Sequence, residues 1–584
     1  MPSEPPMHSS SLPDHQGRPP LRHAPATLPP PLRTPAVIHA PPAALPEAAN
    51  ATDADGQLHA SLARASGGVS PLSMALAQAD WALHLMASPA KWQQLLHGAA
   101  GNQLRLLAHV ARSVSQQSAR PPTASPPPER RFRHPAWRAW PYSMFQQSYL
   151  LNRQWWHSAT RAVPGMASQH EQLVGLMTQQ LLDLYAPSNH VLTSPDVLDA
   201  TLREGGQNFV RGAINLLTDL DHAVRQLPPP GTELFVPGKQ VALARGKVIL
   251  RNRLIELLQY QPLTDDVHPH PLLVVPAWDS KYYLLDLARP NSLISHLVRH
   301  GHTVFLLSWH NPQPAEVDLT PDSYLAALTA ATAAVNAVVP GQAINGVGYG
   351  TGATLLAMAA ASDGAPALRS LSLLAPRTDF TAAGELAQRS DASTAARVLH
   401  DYLLGQRAPL TGLDAWQADR PRVPYRLQAE QLRALLPDED LSTGRLRLHG
   451  RLQALHTLRT PLFVMAPEHA PQLPWHGAYQ LKRALETTLT FVLAAGDIGN
   501  AVLSVPGPAT GHFRSGQWLG GAPHDDAPRW YADTAPVAGS WWPTWLAWLA
   551  ARAPAAMVAP PPMGAPDAGY AVLAPAPGDY VLEH

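Results

Sequence analysis

The run Gly348-Tyr349-Gly350-Thr351-Gly352 has the frame of a turn that does acyl-transfer chemistry, without the atom that would do it. In the pattern G-x-S-x-G, a strand enters a sharp turn and a helix leaves it. The central side chain is thrust out at the top of a sheet, where it attacks a carbonyl. Here the central residue is Gly350, which has no side chain and can form no acyl-enzyme. The apex of such a turn is strained, often with positive φ, and glycine tolerates that geometry at little cost. Backbone donors do not depend on side-chain identity. The N–H of Thr351, one residue past the apex, and a second N–H from a nearby loop would still form an oxyanion hole. The loop Pro276 to Lys281 is the candidate for the second donor, with Trp278 and Asp279 in it. Thr351 also carries the nearest hydroxyl. It either opens the following helix or serves as a displaced nucleophile.

These residues need a strand before them and a helix behind them. Ala343 to Gly348 is an apolar strand, and Ala353 to Ala361 is a strong helix-forming run. From about residue 240 onward, strand and helix signals alternate. His270 to Val275, Thr303 to Ser308, Leu368 to Leu374, Leu462 to Met465 and Leu489 to Leu493 read as strands, and Tyr324 to Val339 as a helix. The alternation predicts an α/β domain over 240–584, with a parallel sheet covered on both faces. Helical, charged sequence at about 380–458 interrupts it and would sit over the site as a cap.

Before residue 240 the chain reads differently. Residues 1–56 are rich in Pro, Ala, Ser and His, a composition that predicts a disordered tail. Residues 57–115 place Leu72, Leu76, Trp81, Leu83, Leu85, Trp92, Leu95 and Leu96 at helical spacing, interrupted by Pro89. Two short amphipathic helices follow, either a small packing module or a docking element. Residues 116–129 are a Pro/Ser linker. Residues 130–239 look helical, with Trp137, Trp140, Trp155 and Trp156 as core anchors. Thr193-Ser194-Pro195 reads as a turn or cap between helices.

Composition excludes several classes. The formal net charge is +0, which argues against a general nucleic-acid binder. With Cys at 0, disulfides and thiolate metal sites are excluded. His302, His310 and His476 lack metal-ligand spacing, so no metal is expected. No signal-peptide pattern opens the sequence, and no apolar run approaches a membrane span. The sequence reads as a cytoplasmic protein without a transmembrane segment.

The chain resembles the polyhydroxyalkanoate synthases, most closely the single-subunit type that polymerises short (R)-3-hydroxyacyl-CoA substrates. The resemblance runs from about Leu58 onward. It rests on Arg130-Arg131-Phe132 with Pro135-Ala136-Trp137, on Gln147-Ser148-Tyr149-Leu150-Leu151, and on Gly205-Gly206-Gln207-Asn208. Val236-Pro237-Gly238-Lys239, Lys281-Tyr282-Tyr283-Leu284-Leu285-Asp286-Leu287, Gly539-Ser540-Trp541-Trp542-Pro543 and Pro577-Gly578-Asp579-Tyr580-Val581 continue it. It implies an α/β-hydrolase fold with a cap insertion, preceded by a helical N-terminal domain. It also implies an elbow cysteine that carries the growing polyester, a histidine that activates the thiol, and an aspartate that assists.

All three groups are replaced. The nucleophile position falls on Gly350. The acid of an Asp-His-x-x-Pro-Trp motif falls on Ala470, and the histidine of a Gly-His-Ile-x-Gly motif falls on Asp497. Loss of all three fits relaxed selection. The resemblance then implies an inactive homologue without a cofactor that binds polyester granules, 3-hydroxyacyl-CoA or an active synthase subunit, as a homo- or hetero-dimer. Two alternatives stay open. One is an active acyltransferase with a displaced nucleophile. The other is a hydrolase in which His469 and Asp497 pair as a rearranged dyad.

Overall fold

The computed structural model describes residues 71–115, 130–225, 227–313, 316, 318–361, 368–376, 397–423, 446–448, 451–453, 458–470, 475–484, 486–507, 511–519 and 526–583. The predicted tail at 1–56, the linker at 116–129 and much of the predicted cap lie outside the described residues.

Among the described residues six α-helices come first: α1 (Pro71–Met86), α2 (Pro89–Ser115), α3 (Tyr142–Thr160), α4 (Ser168–Leu184), α5 (Pro195–Glu204) and α6 (Gln207–Val224). Pro89 does separate α1 from α2, and it sits at the first residue of α2, where its missing N–H costs nothing. Helix α2 runs for 27 residues and is therefore not short. Small apolar clusters hold this layer together, such as Leu85 and Leu95 with Ala159 and Val163. Tryptophan indoles add directed bonds, with Trp81 Nε1 donating to Ala159 O at 3.0 Å and Trp155 Nε1 to Leu95 O at 2.9 Å. Trp137 is buried and donates to Asp196 Oδ2 at 3.1 Å. Trp140 is no core anchor. It is exposed, because it stands in the turn between the 3-10 segment Pro135–Arg138 and α3. Ser194 caps α5 by accepting from Val197 N.

Apart from a separate antiparallel pair, Leu446–Leu448 with Arg451–Gln453, which lies within the span expected to be helical, the rest is built on one eleven-stranded sheet. Its strands are β1 (Gly246–Arg251), β2 (Ile255–Tyr260), β3 (Leu272–Val275), β4 (Val304–Trp309), β5 (Ile344–Tyr349), β6 (Leu368–Leu374), β7 (Leu462–Pro467), β8 (Leu489–Ala494), β9 (His512–Trp518), β10 (Val537–Ala538) and β11 (Ala574–Pro575). The strand order is β10-β9-β8-β7-β6-β5-β3-β4-β2-β1-β11. Strands β4, β3, β5, β6, β7 and β8 run parallel, whereas β1, β2, β9, β10 and β11 join antiparallel at the two edges. The sheet is therefore mixed, not purely parallel. This order, with its crossover at β3 and β4 and its elbow after β5, is that of the α/β-hydrolase fold.

Alternate residues of each strand feed two cores. Leu273, Val275, Phe305 and Leu307 pack with helices α8 (Pro321–Val338) and α9 (Thr351–Ala360). Leu272, Val274, Val304 and Leu306 pack on the other face with α7 (Leu293–Arg299) and with Trp541, Trp542 and Trp545. Strands buried on both faces must be apolar throughout, which is why they read as continuous runs.

The edge strands are closed by residues 577–583. Glu256 on β2 is fully buried and accepts from Arg251 Nε at 2.7 Å, Asp579 N at 2.9 Å and Tyr580 N at 3.1 Å. Gly578 has φ of 81°, and a Cβ there would collide with Glu256 Oε2. Lys281 Nζ donates to Tyr580 O at 3.1 Å and to Glu583 O at 2.7 Å.

Four histidines crowd the amino end of β4. The rings of His268 and His302 stack at 4.5 Å, and those of His296 and His300 lie 4.3 Å apart. Burial, reinforced by the neighbouring histidines, pushes His302 down to about 3. Burial, with His300 and Arg299 beside it, pushes His296 down to about 4. Both are neutral in the folded chain and gain protons near 6.5 when unfolded. Their contribution is thus fully present above 6.5 and is lost progressively as pH falls toward 4 and then 3. We expect the urea midpoint to fall on acidification through that window. His302→Asn should flatten the fall, and a variant curve as steep as that of the unsubstituted chain would refute this assignment.

Candidate functional site

Strand β5 enters the turn and α9 leaves it, as the sequence frame requires. Gly350 stands at the apex with φ 58° and ψ −126°, outside the regions open to L-residues. Its N–H donates to Leu374 O at 3.0 Å, and its carbonyl accepts from Ala353 N at 3.1 Å. A Cβ at Gly350 would stand 3.1 Å from the Ala277 methyl, so a side chain fits there only with some displacement. The flanking glycines are under a harder constraint. A Cβ at Gly348 would overlap the Ala353 backbone, and one at Gly352 would run into the carbonyls of Val275 and Pro276.

The loop after β3 is tied to the first turn of α9. The Thr351 hydroxyl donates to Asp279 Oδ1 at 3.0 Å and accepts from Trp278 N at 3.2 Å. Trp309 Nε1 braces the loop from behind by donating to Pro276 O at 2.9 Å. Thr351 is buried, and its hydroxyl serves this tie. The Trp278 N–H, expected from the sequence as an oxyanion donor, is thereby spent on Thr351. The N–H groups of Thr351 and Ala277 carry no hydrogen bond to an acceptor among the described residues. Ala277 was not singled out by the sequence, though it lies in the predicted loop and faces the apex most closely.

The remaining two positions sit at the carboxyl ends of β7 and β8. Ala470 is buried and offers no polar group. Asp497 is exposed and caps the short helix α10 (Ile498–Val502). Its Oδ1 accepts from Asn500 N at 2.8 Å, and its Oδ2 from Asn500 Nδ2 at 3.1 Å. The sequence signal was available, since an aspartate three residues before an amide side chain at a helix start is a cap pattern. His469 does not pair with Asp497. Its backbone N–H donates to Gly496 O at 3.0 Å, while its ring is exposed and lies 3.9 Å from a different carboxylate, Glu468. The two loops do meet, but through main chain.

Glu468 is the acidic group that the motif spacing missed. It is the first residue past β7, two before Ala470, and its carboxylate is buried. Its Oε1 accepts from Tyr531 OH at 2.5 Å and from Arg514 Nη1 at 3.3 Å. Its Oε2 lies 3.2 Å from His512 Nε2, out of hydrogen-bond alignment. The Glu468 bond raises the Tyr531 hydroxyl. Arg514 stacks over the Tyr531 ring at 4.0 Å, so the group is a packed ion-pair network at the sheet edge. Among the described residues no cluster of three or more His, Cys, Asp or Glu side chains could hold a metal ion. No helix among them is long and apolar enough to cross a membrane.

Residues 128–297 match the family model described as the N-terminus of poly-beta-hydroxybutyrate polymerase (PhaC). Residues 48–91 match a second model, poly-beta-hydroxybutyrate polymerase N terminal. The chain is 32% identical to the poly(3-hydroxyalkanoate) polymerase of Methylorubrum extorquens, over 79% of this chain and 82% of that one. It is 31% identical to the poly(3-hydroxyalkanoate) polymerase subunit PhaC of Cupriavidus necator, over 78% of this chain and 83% of that one. Among solved structures, an alpha/beta hydrolase fold protein from Chitinophaga pinensis aligns at 13% identity and a TM-score of 0.28, covering 45% of this chain and 93% of that one.

The elbow geometry orders two substitutions. Gly350→Cys should cost about 1–3 kcal/mol of stability, the usual range for one strained residue. Gly352→Ala should cost more, because two backbone carbonyls stand in its way. Melting curves of both variants check the order. A Gly350→Cys chain at least as stable as the starting protein would contradict a strained apex.

Proposed function

The chain belongs to the poly(3-hydroxyalkanoate) polymerase family, and we propose that this member keeps the acyl-handling scaffold without the covalent chemistry. It acts as a granule-binding or regulatory homologue in the cytoplasm. One observation carries the reading: the elbow is intact down to its backbone angles, yet its apex is Gly350. Without a nucleophile no acyl chain can be held, and transfer between a thioester and a growing polyester has no covalent carrier. Ala470 has no carboxylate and Asp497 is committed to a helix cap, so neither restores an activating base. Thr351, the nearest hydroxyl, is buried and held between Asp279 and the loop backbone. That position favours a structural role for Thr351 over a displaced nucleophile.

The N–H groups of Thr351 and Ala277, without an acceptor among the described residues, support retention of acyl-thioester binding. They are the kind of donors that polarise a carbonyl oxygen. The helical layer supports attachment to an apolar surface. Leu76, Leu83 and Met86 on α1 and Leu96, Leu104 and Leu107 on α2 are exposed, and clustered apolar exposure marks interaction surfaces.

Incubation with (R)-3-hydroxybutyryl-CoA should release no CoA above the buffer blank, while equilibrium dialysis should detect binding of the thioester. Adding the chain to an active synthase should change the rate or lag of that enzyme. Steady CoA release by the chain alone would reject the proposal.

A further inference from the structure

Residues 579–583 reach the elbow as well as the sheet edge. Glu256 takes the backbone N–H groups of Asp579 and Tyr580, and these bonds fasten the edge. The bonds of the next residues go elsewhere. Lys281 Nζ donates to Tyr580 O at 3.1 Å and to Glu583 O at 2.7 Å, and Glu583 Oε2 accepts from Asn311 N at 2.7 Å. Lys281 is the last residue of the loop that faces Gly350. Asn311 stands two residues past Trp309, whose indole braces the same loop at Pro276 O.

Lys281 and Asn311 each hold a second element too. It is the segment 411–423, made of the helix Gly412–Ala418 and the residues on either side of it. Trp416 Nε1 donates to Lys281 O at 2.7 Å, and Arg422 N donates to Asn311 Oδ1 at 2.8 Å. Between these two ties Asp419 Oδ2 accepts from Tyr283 OH at 3.0 Å. The two anchors are mirror images in their use of atoms. Lys281 gives its side chain to residues 580–583 and its carbonyl to segment 411–423. Asn311 gives its N–H to Glu583 and its side chain to segment 411–423. Neither residue can shift toward one element without straining its bond to the other.

A buried ammonium is a costly way to fill space. Lys281 is buried, and burial pulls it below the ordinary lysine value. The carboxylates of Asp419 and Glu583 oppose that pull, one from each element that Lys281 joins. An aliphatic side chain would pack a purely mechanical joint without that desolvation. The ammonium adds direction, because its donors fix where the carbonyls of Tyr580 and Glu583 must lie. We propose that Lys281 is a positioning residue for the elbow: it locks residues 579–583 and segment 411–423 to the loop 276–281, so that the grip of the elbow on an acyl thioester depends on Glu583, far from the apex in sequence. The dependence of affinity rests on thioester binding at the elbow, whereas the lock itself does not.

Hydrogen exchange read by mass spectrometry tests the lock without ligand. In Glu583→Ala, exchange should rise across 411–423 and at Asn311, while helices α1 to α4 keep their rates and the melting temperature holds. Lys281→Met should loosen the same stretches. Equilibrium dialysis with (R)-3-hydroxybutyryl-CoA tests the consequence, and each variant should bind on the order of tenfold more weakly than the unsubstituted chain. If Lys281→Met folds poorly, Glu583→Ala decides alone, since its side chain is partly exposed. Unchanged exchange across 411–423, or faster exchange spread over the whole chain, would overturn the proposal. So would full thioester affinity in a variant whose segment 411–423 has loosened. Should the unsubstituted chain bind no thioester, thioester binding at the elbow is what fails, and the exchange rates decide the lock.

Discussion

The first turn of α9 touches the end of β3 with nothing between the two backbones. Gly352 permits this, because any side chain there would meet the carbonyls of Val275 and Pro276. Gly348 permits the matching approach of β5 to α9. Interiors are packed too tightly to absorb such overlaps by small shifts. Everything else at the top of the sheet follows from that contact: the apex angles of Gly350, the reach of the Thr351 hydroxyl, and the path of the loop from Pro276 to Lys281. The contact needs two glycines and no nucleophile. A chain can therefore lose its chemistry at residue 350 and keep the turn, because the turn is a joint between two strands and a helix.

Asp497 and Thr351 are each engaged in local structure. Asp497 holds the start of a five-residue helix, and Thr351 holds a loop. A buried or capping polar group is costly to leave unpaired. Both side chains are accordingly satisfied by the donors and acceptors nearest to them. Glu468, with Arg514 and Tyr531, is the buried carboxylate of this corner. Its bonds run toward the sheet edge and the helix α11 (Ala527–Asp533), where they fasten the last antiparallel strands.

The parallel centre of the sheet was legible because strands buried on both faces are apolar at every residue. The span Leu368 to Leu374 was read with its observed limits. The antiparallel edges were not legible. In β1 and β9 buried and exposed residues are mixed, and Lys247, Arg251, Arg514 and Gln517 break the apolar run. The elbow could be read to the residue, since its glycines encode backbone geometry directly. The loop facing the apex could be named only as a whole, because which of its N–H groups is engaged depends on where the Thr351 hydroxyl points. Spacing from Pro-Trp located Ala470 but passed over Glu468, whose burial comes from contacts with β9 and α11, far away in sequence. Trp140 failed as an anchor for a similar reason. Its size argued for burial, while its place in a turn left it no surface to pack on.

The buried carboxylate of Glu256 has a consequence for the order in which the chain is made. Its partners at Asp579 and Tyr580 lie 323 and 324 residues further on. During synthesis β2 emerges with that carboxylate matched by Arg251 alone, and the edge of the sheet stays unsealed until nearly the whole α/β domain has followed. Contacts of such long sequence separation form late and slowly. Through that interval the aliphatic strands at the centre of the sheet lack their finished border, the condition in which large chains aggregate. Residues 577–583 thus act as a closing stitch on the edge of the sheet, the last part of the domain to be supplied.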